Sequence, residues 1–230
     1  MVPCPRVGDV PDELPMFPLN AVLYPGVSLP LHVFEDRYRA LVQHLLQIGD
    51  PAERVFGSVA IREGYEVGDH GAQSLFRTGV RLQLTDVESN PDGTFDIVAV
   101  GRDRIQLDRL IGGGEFPVGE VRVLPELPAD VPAEVVEQAR ATFAAYRAVV
   151  RDIAGDPLSG ELPQDPGFLS WTLAACSPLP LGERQELLEA GDATERLLLV
   201  TDLLRAELRA MNVILSLPAT EVARTRWSPN

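Results

Sequence analysis

The side chains able to do chemistry are few and scattered. Three histidines, His32, His44 and His70, show neither an HExxH spacing nor any short pairing. The spacing predicts His32 on a strand, His44 on a helix flank and His70 in a solvated loop. No GxSxG elbow occurs, and the serines have no His or acid partner nearby in sequence. Cys4 and Cys176 are the only cysteines, too few for a disulfide framework or a four-ligand zinc site. Cys4 is expected as a thiol at a loose N-terminus and Cys176 as a small core residue. All 20 basic residues are Arg. Without Lys these residues form no Walker A loop, no Schiff base and no Ser–Lys dyad. Gly112-Gly113-Gly114 lacks the GxGxxG context of a phosphate cradle and is expected to be a hinge. Arg102-Asp103-Arg104 could grip a carboxylate, because guanidinium forks match carboxylate geometry. The expected reading is a solvated β face paired with neighbouring acids. Glu35-Asp36 is read as helix N-terminal charge rather than an acid–base pair. The residues therefore name no catalytic group, no metal site and no cofactor.

The elements that would carry these residues divide the chain in two. Up to about residue 125 the signals are those of strands. Residues 14–19 are extended, because the residue before a proline is driven to β or polyproline geometry. Residues 27–33 alternate, with Pro30 marking an edge strand. Residues 35–48 carry Tyr38, Leu41, Val42, Leu45 and Ile48 at helical spacing, with Gly49 as a stop. Strands are predicted at 55–62 and 75–88, with a loop over 64–74. The Asn90-Pro91-Asp92-Gly93 turn leads to strands at 94–100, 101–110 and 116–124. A Pro-rich linker follows over 126–131. Beyond it the periodicity is helical. One face runs through Val135, Ala139, Thr142, Phe143, Tyr146, Val150 and Ile153. Shorter helices are predicted at 168–175 and from 181. The last opens on an Asp192/Glu195 capping box and buries Leu197, Val200, Leu204, Leu208 and Met211. The fold class is α+β: a twisted, partly closed β unit with one inserted helix, then a helical bundle. Residues 1–11 and 218–230 are expected as tails, 12–125 as the β subdomain and 132–217 as the helical one.

Charge narrows the partners. The 230 residues hold 34 acidic and 20 basic side chains, a net charge of −14. Such a surface repels phosphate backbones and anionic headgroups at long range. Nucleic acid is therefore disfavoured, although a stripe of Arg77, Arg81, Arg102 and Arg104 is the feature that would support RNA binding. No apolar run reaches the length of a membrane span, and the N-terminus lacks a signal-peptide core. A cytoplasmic protein is expected.

One stretch suggests binding. Residues 14–34 are apolar, and Pro15, Pro18, Pro25 and Pro30 interrupt ladder pairing. An open edge beside apolar groups accepts extended peptides. Phe17, Tyr24, Pro25, Phe34 and Tyr38 are the candidate partner-binding residues, as large groups beside turns and the inserted helix.

The same stretch resembles a known family. Leu14-Pro15-Met16-Phe17-Pro18-Leu19-Asn20-Ala21-Val22-Leu23-Tyr24-Pro25-Gly26 is similar to the start of the LON domain, the N-terminal substrate-recognition domain of ATP-dependent Lon protease. Gly79-Val80-Arg81-Leu82, Pro91-Asp92-Gly93-Thr94, Gly101-Arg102-Asp103-Arg104-Ile105 and Ala175-Cys176-Ser177-Pro178 resemble further parts in the same order, over about residues 12–215. The resemblance implies a PUA-like β unit followed by a helical bundle. It implies binding of protein or unfolded, apolar polypeptide clients without catalysis, as an adaptor or regulator in proteolysis or quality control, alongside a separate protease or chaperone. An RNA-binding PUA-like module is the alternative.

Overall fold

The computed structural model describes residues 12–63, 74–154, 158 and 160–216. The expected tails, the greater part of the 64–74 loop, Cys4 and His70 lie outside the described residues. The elements run β1 (Asp12–Pro15), β2 (Ser28–Val33), α1 (Asp36–Gln47), β3 (Val55–Glu63), β4 (Ser74–Ser89), β5 (Phe95–Ile111) and β6 (Val118–Leu124). They continue with α2 (Ala133–Ala154), α3 (Pro166–Ala175), α4 (Leu181–Glu189) and α5 (Ala193–Ser216). The result is an α+β protein with a six-stranded antiparallel sheet.

The hairpin of β4 and β5 is the spine of that sheet. Gly93 takes a positive φ of 83° in the turn, and Asn90 and Thr94 close it through a 2.9 Å backbone bond. The strands predicted at 94–100 and 101–110 are one strand, β5. Its first half pairs with β2 and its second half with β6, on the same edge. β6 then pairs with β1. Past β1 the chain bridges in parallel to β3, at Met16 opposite Gly57 and Leu19 opposite Ala60. Phe17 N donates to Gly57 O at 2.8 Å and Ile61 N to Leu19 O at 2.9 Å. These bonds join the two ends of the strand order, so the sheet closes on itself. Closure satisfies backbone groups that an open edge would expose.

β5 continues unbroken because Gly101 leaves space where the two halves meet. Gly26 N donates to Gly101 O and Gly101 N to Val27 O, both at 2.9 Å, so the 24–27 turn lies directly on the strand. A Cβ at Gly101 would stand 2.2 Å from Tyr24 O, a backbone atom.

The helices follow the periodicities closely. α1 buries Tyr38, Leu41, Val42 and Leu45. Its first turn carries charge as expected, with Arg37 paired to Glu35 at 2.9 Å and Arg39 to Asp36 at 3.0 Å. α2 buries Ala139, Thr142, Phe143, Tyr146 and Val150, and α5 buries Leu197, Val200 and Leu204. α5 packs against α2, α3 and α4. The capping box forms: Glu195 N donates to Asp192 Oδ1 at 2.9 Å, and Gly191 N donates to Glu195 Oε2 at 2.6 Å. α3 starts at Pro166, two residues before the predicted start, because Asp165 caps it by accepting from Phe168 N at 2.9 Å. The large core joins the sheet to the helices, and Met16, Val59, Ile105, Leu107 and Val121 form a separate small cluster.

Gly101→Ala is expected to lower unfolding stability by about 2 kcal/mol or more, since a backbone oxygen must move. Gly112, with open space around its Cβ position, is the control: Gly112→Ala stays within about 0.5 kcal/mol. Urea denaturation of the three proteins checks both expectations.

Candidate functional site

The five predicted residues separate by burial. Phe17, Tyr24 and Tyr38 are core residues, each no more than 5% exposed. Phe17 and Tyr38 stack on each other with centroids 3.9 Å apart. They offer no surface to a partner, because their neighbours in sequence close the sheet and seat α1. Phe34 is exposed and lies beside the His32 ring. Pro25 is half-buried and lines a cavity.

That cavity, about 380 Å³, opens between the sheet and α3. Pro25 and Gly26 form one wall, Val100 and Leu124 another, and Phe168 and Trp171 a third. Gly26 has φ 77°, and a Cβ there would meet the Phe168 ring at 3.3 Å. The turn therefore needs glycine both for its backbone and for Phe168. Phe168 is 61% exposed, the largest exposure among the large apolar side chains of the described residues. Sequence reasoning missed it. The Asp165-Pro166 start signal could have placed it on the first turn of a helix, facing out.

The base of the cavity is electrostatic. Arg196, fully buried, lies over Trp171 with its guanidinium carbon 3.1 Å from the ring centroid. Its Nη1 donates to Ser170 Oγ at 2.7 Å, and its Nη2 to Glu126 Oε1 at 2.8 Å. Arg104, on β5, pairs with the other oxygen of Glu126 at 3.1 Å. Its Nη1 also donates to Leu188 O at 3.1 Å and Ala190 O at 2.7 Å. One carboxylate thus serves two buried guanidiniums, and the carbonyls ending α4 supply the remaining negative charge. The expectation that Arg104 belongs to a solvated face is corrected here. Its strand position faces α4, where only 6% of it is exposed and backbone carbonyls accept its N–H groups. Arg102 and Asp103 behave as expected: Arg102 bonds Gln83 and Asp103 bonds Arg81.

The proposed arginine stripe is not one continuous cationic surface, because Arg104 is buried and Arg81 is paired with Asp103. Arg77 bonds Leu107 O and Asp108 O, Arg81 pairs with Asp103, Arg102 bonds Gln83 and Arg104 is buried. Among the described residues no cluster of three or more His, Cys, Asp or Glu could hold a metal ion. No described helix is long and apolar enough to cross a membrane.

Burial displaces the ionisation of Arg196, Tyr24 and Tyr146, the last upward. Burial pulls Arg196 down to about 10, partly opposed by Glu126. Burial pushes Tyr24 up to about 12, against the pull of Arg184. The Tyr24 hydroxyl donates to Arg184 O at 2.9 Å, and Arg184 Nη2 donates to Val22 O at 3.0 Å, tying the turn to α4.

The architecture is that of Lon N-terminal domains. A Lon N-terminal domain protein from Xanthomonas campestris superposes with a TM-score of 0.59 at 26% identity, covering 81% of this chain and 95% of that one. The N-terminal domain of the Mycobacterium avium complex Lon protease shares the fold, with a TM-score of 0.59 at 21% identity over 84% of this chain and 98% of that one. Residues 13–206 match the sequence model of the ATP-dependent protease La (LON) substrate-binding domain, and the chain belongs to that family. The Lon protease of Roseiflexus castenholzii is 30% identical over 216 residues, which are 89% of this chain and 25% of that protein. The Escherichia coli K12 Lon protease is 26% identical over 205 residues, 87% of this chain and 26% of that protein. The chain thus spans about a quarter of the length of the curated relatives it matches.

Glu126→Gln keeps the shape but leaves two buried cations without a carboxylate. Because Glu126 is itself 41% exposed, water takes up part of the lost charge, and a loss of about 1–2 kcal/mol in unfolding free energy is expected, read by urea denaturation. For Tyr24 the sign follows from its raised folded pKa. The stabilisation is complete below pH 10, the ordinary tyrosine value, and is lost as pH rises towards 12. Tyr24→Phe should therefore lose less stability than the wild type between pH 9 and 11, by roughly 1 kcal/mol. Comparing urea midpoints at the two pH values tests it.

Proposed function

We propose that this chain is a non-catalytic recognition unit that binds apolar, extended segments of protein clients. The observation that carries this reading is Phe168, an aromatic ring exposed on the wall of a largely apolar cavity between the sheet and α3. Exposed aromatic groups at the rim of a preformed apolar pocket are the usual anchors of protein recognition. Pro25 supplies the facing wall, and Phe34 is a second exposed anchor on the outer sheet. Phe17, Tyr24 and Tyr38 support this surface from beneath.

Membership in the substrate-binding family fits the same role. The absence of Lys from these 230 residues agrees with a unit that holds clients without cutting them. The reading extends to the architecture: a PUA-like β unit over 12–125, a connecting segment over 126–131 and a helical bundle over 132–217. It also extends to the setting, an adaptor or regulator in cytoplasmic proteolysis or quality control, acting with a separate protease or chaperone.

The test is titration of the protein into a labelled, permanently unfolded client such as reduced and alkylated casein. Saturable binding is expected, and Phe168→Gln should weaken it about tenfold, the loss of one aromatic anchor, with an unchanged thermal midpoint. A wild-type protein that binds no unfolded client at high micromolar concentration would sink the reading.

A further inference from the structure

A second cleft runs against the charge of the molecule. It encloses about 550 Å³ where β3, β4 and β5 meet, and Arg62, Arg77 and Arg109 line it against one carboxylate, Asp108. In a chain of net charge −14, three guanidiniums on one cleft are a local reversal of sign. Two of the four charges are compensated by neighbours. Arg109 pairs with Glu120. Asp108 accepts from Arg122 at 2.7 and 2.6 Å, and that contact, with a smaller pull from Arg77, holds its carboxyl below the usual carboxylate range.

Arg62 and Arg77 are different. Arg62 Nε and Nη2 donate to Ser74 Oγ at 3.2 and 2.9 Å. Arg77 Nη1 donates to Leu107 O at 3.3 Å and to Asp108 O at 2.6 Å. Every one of these acceptors is a neutral oxygen. The two guanidiniums are thus held in position by neutral oxygens, with Arg77 also attracted by the Asp108 carboxylate that Arg122 shares and Arg62 without a carboxylate partner among the described residues, and each has N–H groups beyond those bonds. Both residues are exposed, so the cation is presented rather than hidden. Leu75, Leu107 and Leu110 supply the apolar part of the lining. Leu107 belongs to the small core cluster, and Leu75 and Leu110 pack against it.

We propose that this cleft binds a carboxylate carried on an apolar group, the guanidiniums taking the carboxylate and Leu75 and Leu110 the apolar part. Arginine suits the task because two parallel N–H groups match the two carboxylate oxygens, and fixed donors lose little freedom on binding. A single carboxylate also suits the surroundings, because a long polyanion would meet the repulsion of the whole acidic surface. Two sources share this chemistry: the C-terminus of a polypeptide ending in a large aliphatic residue, and a free medium-chain fatty acid. The site is separate from the Phe168 cavity, and its residues do not overlap with that lining.

The experiment uses the full chain and a fluorescein-labelled hexapeptide ending in leucine, as the free acid and as the C-terminal amide, with sodium decanoate as a third ligand. Fluorescence polarisation reads peptide binding, and calorimetry reads decanoate. The free acid or decanoate is expected to bind at least about tenfold more tightly than the amide, the effect of one charge-assisted bidentate pair. Arg62→Gln and Arg77→Gln should each weaken binding about tenfold, while Phe168→Gln leaves it unchanged. Preference for the peptide acid assigns the site to chain termini, and preference for decanoate assigns it to fatty acids. Equal binding of acid and amide, no binding of any of the three at millimolar concentration, or undiminished binding by both arginine variants with unchanged thermal midpoints would overturn the proposal.

Discussion

The structure depends on one carboxylate shared between two buried arginines. Glu126 lies in the segment joining sheet to helices. Arg104 reaches it from β5 and Arg196 from α5, so three separate parts of the chain meet at two oxygen atoms. Burying an ion pair seldom adds net stability, because desolvation offsets the attraction. Its consequence here is geometric. Any other placement of α5 against β5 would strand a guanidinium in an apolar interior. Two cations against one anion would still leave a positive charge, and α4 resolves this by ending on Arg104. Leu188 O and Ala190 O accept from it, at the end of the helix where the peptide dipoles are negative. The position of α4 is therefore fixed by the same charge balance that fixes α5.

This arrangement explains how a cavity persists between the two parts. Apolar surfaces left to themselves close over a gap. Here Trp171 is held between Arg196 on its face and the packed α3 backbone, and Arg104 approaches its ring at 5.8 Å. The Tyr24–Arg184 contacts hold the 24–27 turn at a fixed height on the opposite wall. With both walls pinned by directional bonds, Phe168 has no core position to fall into and stays at the rim. A surface of this kind is preorganised, which would lower the ordering cost of binding there.

How much of this the sequence discloses depends on the range of the interaction. Tyr38, Leu41, Val42 and Leu45 on α1, and Leu197, Val200 and Leu204 on α5, were legible because helical spacing repeats within a few residues. The Asn90 to Thr94 hairpin and the Asp192/Glu195 box were legible because turn and cap chemistry is local. The LON resemblance was legible from the order of its motifs. The closed sheet was only half visible, since the pairing of Met16 and Leu19 with β3 spans some forty residues and leaves no periodic trace. Arg104 and Arg196 were illegible as core residues, because a charged side chain at a strand or helix position carries no mark of burial. Their partners are a carboxylate far along the chain and backbone carbonyls that only the fold brings near. Phe17, Tyr24 and Tyr38 were candidates for both roles, because large aromatics beside prolines or on a helix face fit an interface and a core equally well. Burial alone separates the two.

The Phe168 cavity and the β3–β5 cleft differ in their electrostatics, and this bears on what each would accept. Around the Phe168 cavity Asp103 pairs with Arg81 and Glu126 with Arg104 and Arg196, while Arg102 bonds the neutral Gln83 oxygen and Asp165 caps α3. Charges that are mostly paired contribute little long-range field, so shape and apolar area would govern binding there. In the β3–β5 cleft Arg62 bonds only a hydroxyl oxygen among the described residues and Arg77 shares Asp108 with Arg122, so cations are in excess and an anionic group would be favoured. The strong acidity of the remaining surface sharpens this difference. The net charge of −14 repels anions at long range, which makes a weak local cationic site more discriminating than the same arginines on a neutral protein. The acidity that argues against nucleic acid therefore does not argue against a single small anionic group. It is the background against which such a group would be recognised.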